Sequence, residues 1–245
     1  MGRLLVVTSG KGGVGKSTVA AGLGCALTRR GRSVLLLDMD AGLRCLDSML
    51  GLSEQTVFDL GDVLREERPL EDALLPVEGY ERFFLLAAPL RAGVIDRAAV
   101  EALTGRLISR YDDLILDCPA GIDRGFRFSV PPGSQALVVV NPEPVSVRDA
   151  AVVDGMLEEM GIYPRLMVLN KFDKKRMKVG CFPTIDSVID GSGLRLAAIV
   201  PYDDGVAVAA AKGLPLEKGR ACRAFDRLAA RLDGEEIGLP PIGRI

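Results

Sequence analysis

The sequence predicts a three-layer α/β/α domain around a mostly parallel central sheet, and three observations carry that prediction. Seven short aliphatic runs, at residues 4–8, 34–38, 83–87, 114–117, 136–140, 166–170 and 197–200, are nearly continuous in apolar character. Strands covered on both faces have this composition. Longer stretches of helix-like composition separate them, at 17–30, 94–110, 145–160 and 216–232, and in the last of these Ala221, Phe225, Leu228 and Leu232 mark one buried stripe. Strands alternating with helices give right-handed crossovers and place ligands at the carboxyl ends of the strands. Asp38, Asp117 and Asn170 fall at such ends, so a site is located by position alone.

Composition bounds the chemistry. A chain of 245 residues with 48% hydrophobic content buries roughly 70 to 75% of its potential surface, enough for one core without covalent staples. One domain over residues 1–232 is expected, followed by a short tail at 233–245. Lys and Arg number 31 against 33 Asp and Glu, so no global positive field draws the protein to nucleic acid or an acidic membrane. Histidine is absent, which leaves acid-base and electrostatic work to carboxylates, lysines, arginines, hydroxyls and backbone. The cysteines at 25, 45, 118, 181 and 222 form no C-x-x-C pair, which argues against a thiolate zinc site, a redox dithiol or a disulfide framework. A reducing cytosol fits best. The first apolar run is far shorter than a membrane span and enters a glycine loop.

That loop reads Gly10-Lys11-Gly12-Gly13-Val14-Gly15-Lys16-Ser17 and satisfies G-x-x-x-x-G-K-[ST] between a strand and a helix. Its glycines let backbone N–H groups surround phosphate oxygens, and the following helix adds its unpaired donors and positive dipole end. Lys16 is placed to neutralise the β and γ phosphates, and the Ser17 hydroxyl to ligate magnesium. Asp117, ending Leu114-Ile115-Leu116-Asp117, is suited to orient magnesium-bound water. Asp38 supplies a second carboxylate at a neighbouring strand end, if its strand and that of Asp117 flank the first. Either carboxylate could instead cap a helix or a turn.

Lys11 adds a second lysine inside the loop. Lys11-Gly12-Gly13-Val14-Gly15-Lys16-Ser17 is similar to the K-G-G-x-G-K-[ST] motif of the MinD and ParA family of cytoplasmic ATPases with a deviant Walker A motif, on its MinD side. The resemblance covers almost the entire chain, through residues 7–10, 38–47, 117–122 and 141–150 and through Pro201 with Asp203. It implies a P-loop nucleoside triphosphatase that binds ATP and ADP with Mg2+. It further implies an ATP-dependent homodimer of sandwich form, in which Lys11 reaches the partner's phosphates and offsets charge developing on them. By the same likeness, residues 10–17 with Thr18 hold the nucleotide, Lys11, Lys16 and Asp40 are the catalytic set, and Asp40 positions the attacking water. Magnesium falls to Ser17, Asp38 and Asp117, Gly121 marks a second switch, Asn170 reads adenine and Pro201 lies beside the base.

The expected function is spatial regulation of the cell-division site, with slow, partner-stimulated ATP hydrolysis as a timer and protein regulators as partners. The alternatives are a relative that positions DNA, chemoreceptors or flagella, and an ATP-binding scaffold with negligible hydrolysis. Lys171, Lys174, Lys175, Arg176 and Lys178 form a basic run that reads as a solvated loop, so nucleic acid is not the expected ligand. Cys118 stands where this family commonly has serine, reads as a buried inert thiol, and gives no support to an iron–sulfur role. Pro131-Pro132-Gly133 predicts a rigid turn where the family usually has helix. After Leu232 come Gly234, Glu235, Glu236, Gly238 and Pro240-Pro241 in place of a basic amphipathic helix, so no direct membrane binding is expected, the protein is placed in the cytoplasm, and Ile237, Leu239, Ile242 and Ile245 are expected to pack on the domain.

Overall fold

The computed structural model describes residues 2–42, 44–91, 93, 95–175 and 184–241. Leu43, the start of the expected helix at Val94, Arg176 and Lys178 of the basic run, Cys181, Ile242 and Ile245 lie outside the described residues. In chain order the elements are β1 (Arg3–Thr8), α1 (Lys16–Arg29), β2 (Val34–Asp38), α2 (Leu46–Met49), α3 (Leu60–Leu64), α4 (Leu70–Ala73), β3 (Leu74–Pro76), β4 (Phe83–Leu86), α5 (Arg97–Leu107), β5 (Asp113–Asp117) and α6 (Arg124–Phe128). There follow β6 (Gln135–Val140), α7 (Pro144–Glu159), β7 (Arg165–Phe172), α8 (Ile185–Ser192), β8 (Arg195–Pro201), α9 (Asp204–Ala211) and α10 (Arg220–Leu232).

The strands form one eight-stranded sheet in the order β3-β4-β2-β5-β1-β6-β7-β8, parallel throughout except for β3 against β4. The three-layer α/β/α fold with a mostly parallel sheet therefore stands. Alternation along each strand explains why the strands read as continuous apolar runs. On β1, Val6 faces one core with Leu116, Val138 and Leu169, while Leu5 and Val7 face the other with Leu36, Ile115 and Val139. β5, not β2, flanks β1 on the side away from β6. β2 lies one strand further out, and its Asp38 sits in register with Asp117. Sheet order is a long-range property, which local apolar runs do not encode.

The structure adds elements that the sequence pattern did not yield. β3 is three residues of antiparallel edge, ending at Pro76, too short for a two-residue period to show. The expected helix at 216–232 starts only at Arg220, because Gly219 takes φ 114° and breaks the helical path before it. After Asp204 and Gly205, α9 consists only of Val and Ala, so it has no amphipathic signature. Residues 131–133 form the expected turn, with Gly133 at φ 78° and Ser134 Oγ donating to Pro131 O at 2.6 Å. No helix among the described residues is long and apolar enough to cross a membrane.

α1 and α10 pack side by side on the same face of the sheet as the P-loop helix requires. A Cβ on Gly22 would stand 2.4 Å from the Phe225 ring, and one on Gly24 would stand 2.4 Å from Phe83. Gly22→Val is expected to cost about 1–3 kcal/mol through overpacking, despite the better helix propensity of valine. Urea unfolding reads this as a lowered midpoint, and an unchanged midpoint would contradict the close approach.

Candidate nucleotide site

The loop joining β1 to α1 is shaped by two left-handed glycines, Gly13 at φ 78° and Gly15 at φ 96°. A Cβ at Gly12 or Gly13 would meet nothing within 4 Å, so the loop borders an open cradle, whereas one at Gly15 would lie 2.3 Å from Asn170 Nδ2. Gly10 is pressed as closely on its other side, where a Cβ would come within 2.5 Å of Asp149 on α7. Gly15 is the N-cap of α1 and offers no side-chain cap, which leaves the first N–H groups of the helix free to face the cradle. Lys16 opens the helix and is 8% exposed. Ser17 and Thr18 follow in the first turn, both half-buried.

Two strand ends, those of β5 and β2, bring carboxylates to this turn. Ser17 Oγ donates to Asp117 Oδ2 at 2.5 Å, and Cys45 Sγ approaches the same hydroxyl at 3.3 Å. Asp117 Oδ1 is buried and has no hydrogen-bond partner. Burial, then the negative Asp38, pushes the Asp117 carboxyl up to about 7, against the opposing effects of Lys16 and the Ser17 bond. Burial likewise pushes Asp38 up to about 6, although the Asp40 N–H at 3.0 Å and the Leu46 N–H at 3.4 Å donate to it. Two buried carboxylates in register, one with an orphaned oxygen, beside a serine hydroxyl form a hard oxygen donor set. A small divalent cation offsets the burial and mutual repulsion that raise both carboxyls, so these residues fit magnesium.

The remaining expected residues are distributed around this centre. Asp40 is half-buried two residues beyond Asp38, in a loop tied down by Gly42 N donating to Pro89 O at 3.0 Å. Gly121, at φ 97°, donates its N–H to Ser9 O at 3.0 Å, linking the segment after β5 to the phosphate loop. Lys11 Nζ lies 3.5 Å from Glu143 Oε2, with both side chains about half exposed. Asn170 is buried and donates Nδ2 to Val14 O at 2.8 Å, so part of its amide serves the loop itself. Pro201 ends β8 opposite Phe172, and Tyr202 N donates to Phe172 O at 2.8 Å, which brings the Pro201 loop beside Asn170.

The structure brings four further residues to the site: Cys45, Glu143, Asp149 and Lys171. Glu143 and Asp149 lie in the quoted segment 141–150, but only the packing of α7 on Gly10 shows them to be neighbours of the loop. In the sequence Lys171 reads as part of the basic run. Its Nζ instead donates to Gly13 O at 2.7 Å, unlike Lys174 and Lys175 further along. Cys118 is fully buried against Ser129 O, and burial pushes its thiol up to about 12, the state of an inert packing group. Among the described residues no cluster of three His, Cys, Asp or Glu side chains is arranged to hold a metal.

Comparison with known proteins agrees with this geometry. The profile of the CobQ/CobB/MinD/ParA nucleotide binding domain matches residues 5–216. The septum site-determining protein MinD of Synechocystis is 37% identical over 97% of this chain and 91% of its own length. Among solved structures, MinD in the MinC:MinD cell division protein complex of Aquifex aeolicus superposes with a TM-score of 0.90 at 36% identity, covering 98% of this chain and 99% of that one. The septum site-determining MinD of Pyrococcus horikoshii, complexed with Mg-ADP, gives 0.85 at 29% identity, covering 95% and 96%. With the two-lysine loop, the paired aspartates and near-complete overlap in both sequence and shape, this chain belongs to the MinD family of nucleotide-binding cell-division ATPases.

Proposed function

We propose that residues 1–232 work as one ATPase domain that regulates division-site placement by cycling between an ATP-bound homodimer and an ADP-bound monomer, with slow hydrolysis that a protein partner accelerates. The observation that carries this reading is the division of labour between two lysines of one loop. Lys16 is buried and its charge acts on Asp117, while Lys11 is half exposed and pairs with Glu143. Buried Lys16 serves the chain's own phosphates, and exposed Lys11 is free to serve a second copy's.

Residues 10–17 and Thr18 hold the phosphates through backbone N–H groups and the Lys16 ammonium. Ser17, Asp38 and Asp117 hold magnesium, which when bound neutralises phosphate charge and orders the β and γ oxygens. Asp40, fixed by its N–H bond to Asp38, orients the attacking water. Asn170 and Pro201 bound the adenine. The presence of MinC with the Aquifex relative supports a regulator of that kind as the partner.

Purified protein is expected to bind ATP-magnesium saturably and to release phosphate slowly, with turnover rising when a MinC-type or activating partner is added. Binding without phosphate release at any protein concentration would make the chain a scaffold instead. In the same preparation, anionic vesicles should leave this 245-residue polypeptide in the supernatant with ATP and with ADP. The reason is local: Asp233 and Glu235 are held by Arg30, Arg231 Nε donates to Ile237 O at 2.7 Å, and residues 235–241 carry acidic and proline residues with no helix. Robust ATP-dependent pelleting without a partner overturns that expectation.

A further inference from the structure

We propose that Lys171, together with Asn170, is a positioning residue that locks the phosphate loop open toward its ligand by holding two successive loop carbonyls from behind. This rests on the reading of residues 10–17 as the phosphate cradle.

The two contacts are consecutive on both sides. Lys171 Nζ donates to Gly13 O at 2.7 Å, and Asn170 Nδ2 donates to Val14 O at 2.8 Å. A trans peptide is planar, and its carbonyl points opposite to the N–H of the next residue. Holding the Gly13 carbonyl toward β7 therefore turns the Val14 N–H away from β7 and into the cradle. Holding the Val14 carbonyl does the same for the Gly15 N–H. Two anion donors are thereby aimed before the ligand arrives, and donors already aimed need no reorganisation on binding.

β7 is distorted in a way that this clamp requires. Neighbouring side chains of a regular strand point to opposite faces, so Asn170 and Lys171 could not both reach one loop. Lys171 instead adopts φ 52°, one of two non-glycine residues with positive φ among the described residues. The register of β7 against β8 shifts between Leu169 and Phe172 at the same point. A left-handed residue in a bulge re-aims its side chain, and here it brings two consecutive donors to one side. A left-handed lysine is strained, and strain of this kind persists where the surroundings enforce it at a functional site. The loop answers in kind: Gly15 has no Cβ because Asn170 Nδ2 occupies that space, and the Lys171 stem passes 3.9 Å from the same position.

Two variants separate the ammonium from the strain. Lys171→Ala removes the donor and keeps a side chain at positive φ, whereas Lys171→Gly removes the donor and relieves the strain. Both should raise the Kd for ATP-magnesium by about tenfold, the size of one charge-assisted hydrogen bond. The thermal midpoint of the ligand-free Lys171→Gly protein should be equal to or above that of wild type, which a merely structural role of the lysine does not predict. Because the clamp acts on phosphate donors, inorganic tripolyphosphate competing with a fluorescent ATP analogue should weaken by the same factor as ATP. Wild-type affinity in Lys171→Gly overturns the proposal, as does a loss seen with ATP and absent with tripolyphosphate, which would place Lys171 at the base. Wild-type protein that binds no ATP-magnesium at all would instead overturn the functional reading on which the clamp rests.

Discussion

Lys16→Ala is expected to lower affinity for ATP-magnesium by roughly two to three orders of magnitude while leaving the fold intact. Breaking a buried charge pair by deleting one partner costs about 3–5 kcal/mol, and about 1.4 kcal/mol is a factor of ten. Lys16 is 8% exposed, at the floor of the cradle, and its charge also opposes the rise of the Asp117 carboxyl. Without it, the triphosphate meets two buried carboxylates with no local counter-charge. The ligand-free protein is expected to tolerate the change because burial already pushes the Asp117 and Asp38 carboxyls up to about 7 and about 6, so partial protonation near neutral pH lessens their charge when the Lys16 counter-charge is lost. Alanine is also the best helix former at the start of α1. Equilibrium titration with ATP, paired with a thermal midpoint for the ligand-free protein, reads both halves of the expectation. Undiminished affinity in a folded variant would remove Lys16 from its assigned role.

The cradle was legible in the sequence because its chemistry is written as residue identity at fixed local spacing. Gly13 and Gly15 occupy the two left-handed positions, Lys16 and Ser17 open the helix, and Asp38 and Asp117 end strands that read as unbroken aliphatic runs. What the sequence does not encode locally is which strand lies beside which. The condition attached to Asp38, that its strand flanks β1, fails because β5 is inserted between them, yet the parallel register of β2 on β5 delivers Asp38 next to Asp117 all the same. The carboxylate pair arises across β2 and β5 instead of on both sides of the loop.

Lys171 shows a different limit. In the sequence it is the first of several cations and reads as part of a solvated loop, because φ is set by the surroundings and no glycine announces the left-handed turn. Only the three-dimensional arrangement separates it from Lys174 and Lys175. Asn170 was legible as a site residue from its position at a strand end, but the hydrogen bond from its amide to Val14 O was not. The same holds for the approach of α7 to Gly10, which explains a glycine that the phosphate motif alone assigns to flexibility.

Lys11→Ala and Asp40→Ala are expected to fail in opposite ways, and the contrast is the sharpest test of the ATP-bound homodimer. The Lys11 ammonium is about half exposed and 3.5 Å from Glu143, an exposed pair worth about 0–1 kcal/mol, too little to keep it from a partner's phosphates. Lys11→Ala should therefore bind ATP through the intact Lys16 cradle, remain monomeric, and lose hydrolysis by about 10²–10³, the usual loss for removing one donor from developing charge. Asp40 sits among the carboxylates at the cradle's edge, and its removal lessens repulsion on Asp38 and Asp117 without touching a phosphate donor. Asp40→Ala should retain ATP, form the dimer and accumulate it, because the attacking water is no longer oriented. Light scattering with ATP gives the mass, and phosphate release gives the rate, as protein concentration is raised. Wild-type rate per molecule should climb with concentration as dimer forms, stay flat and low in Lys11→Ala, and stay low in a fully dimeric Asp40→Ala. A wild type that remains monomeric and hydrolyses at one rate at every concentration removes the sandwich mechanism and with it the role given to Lys11.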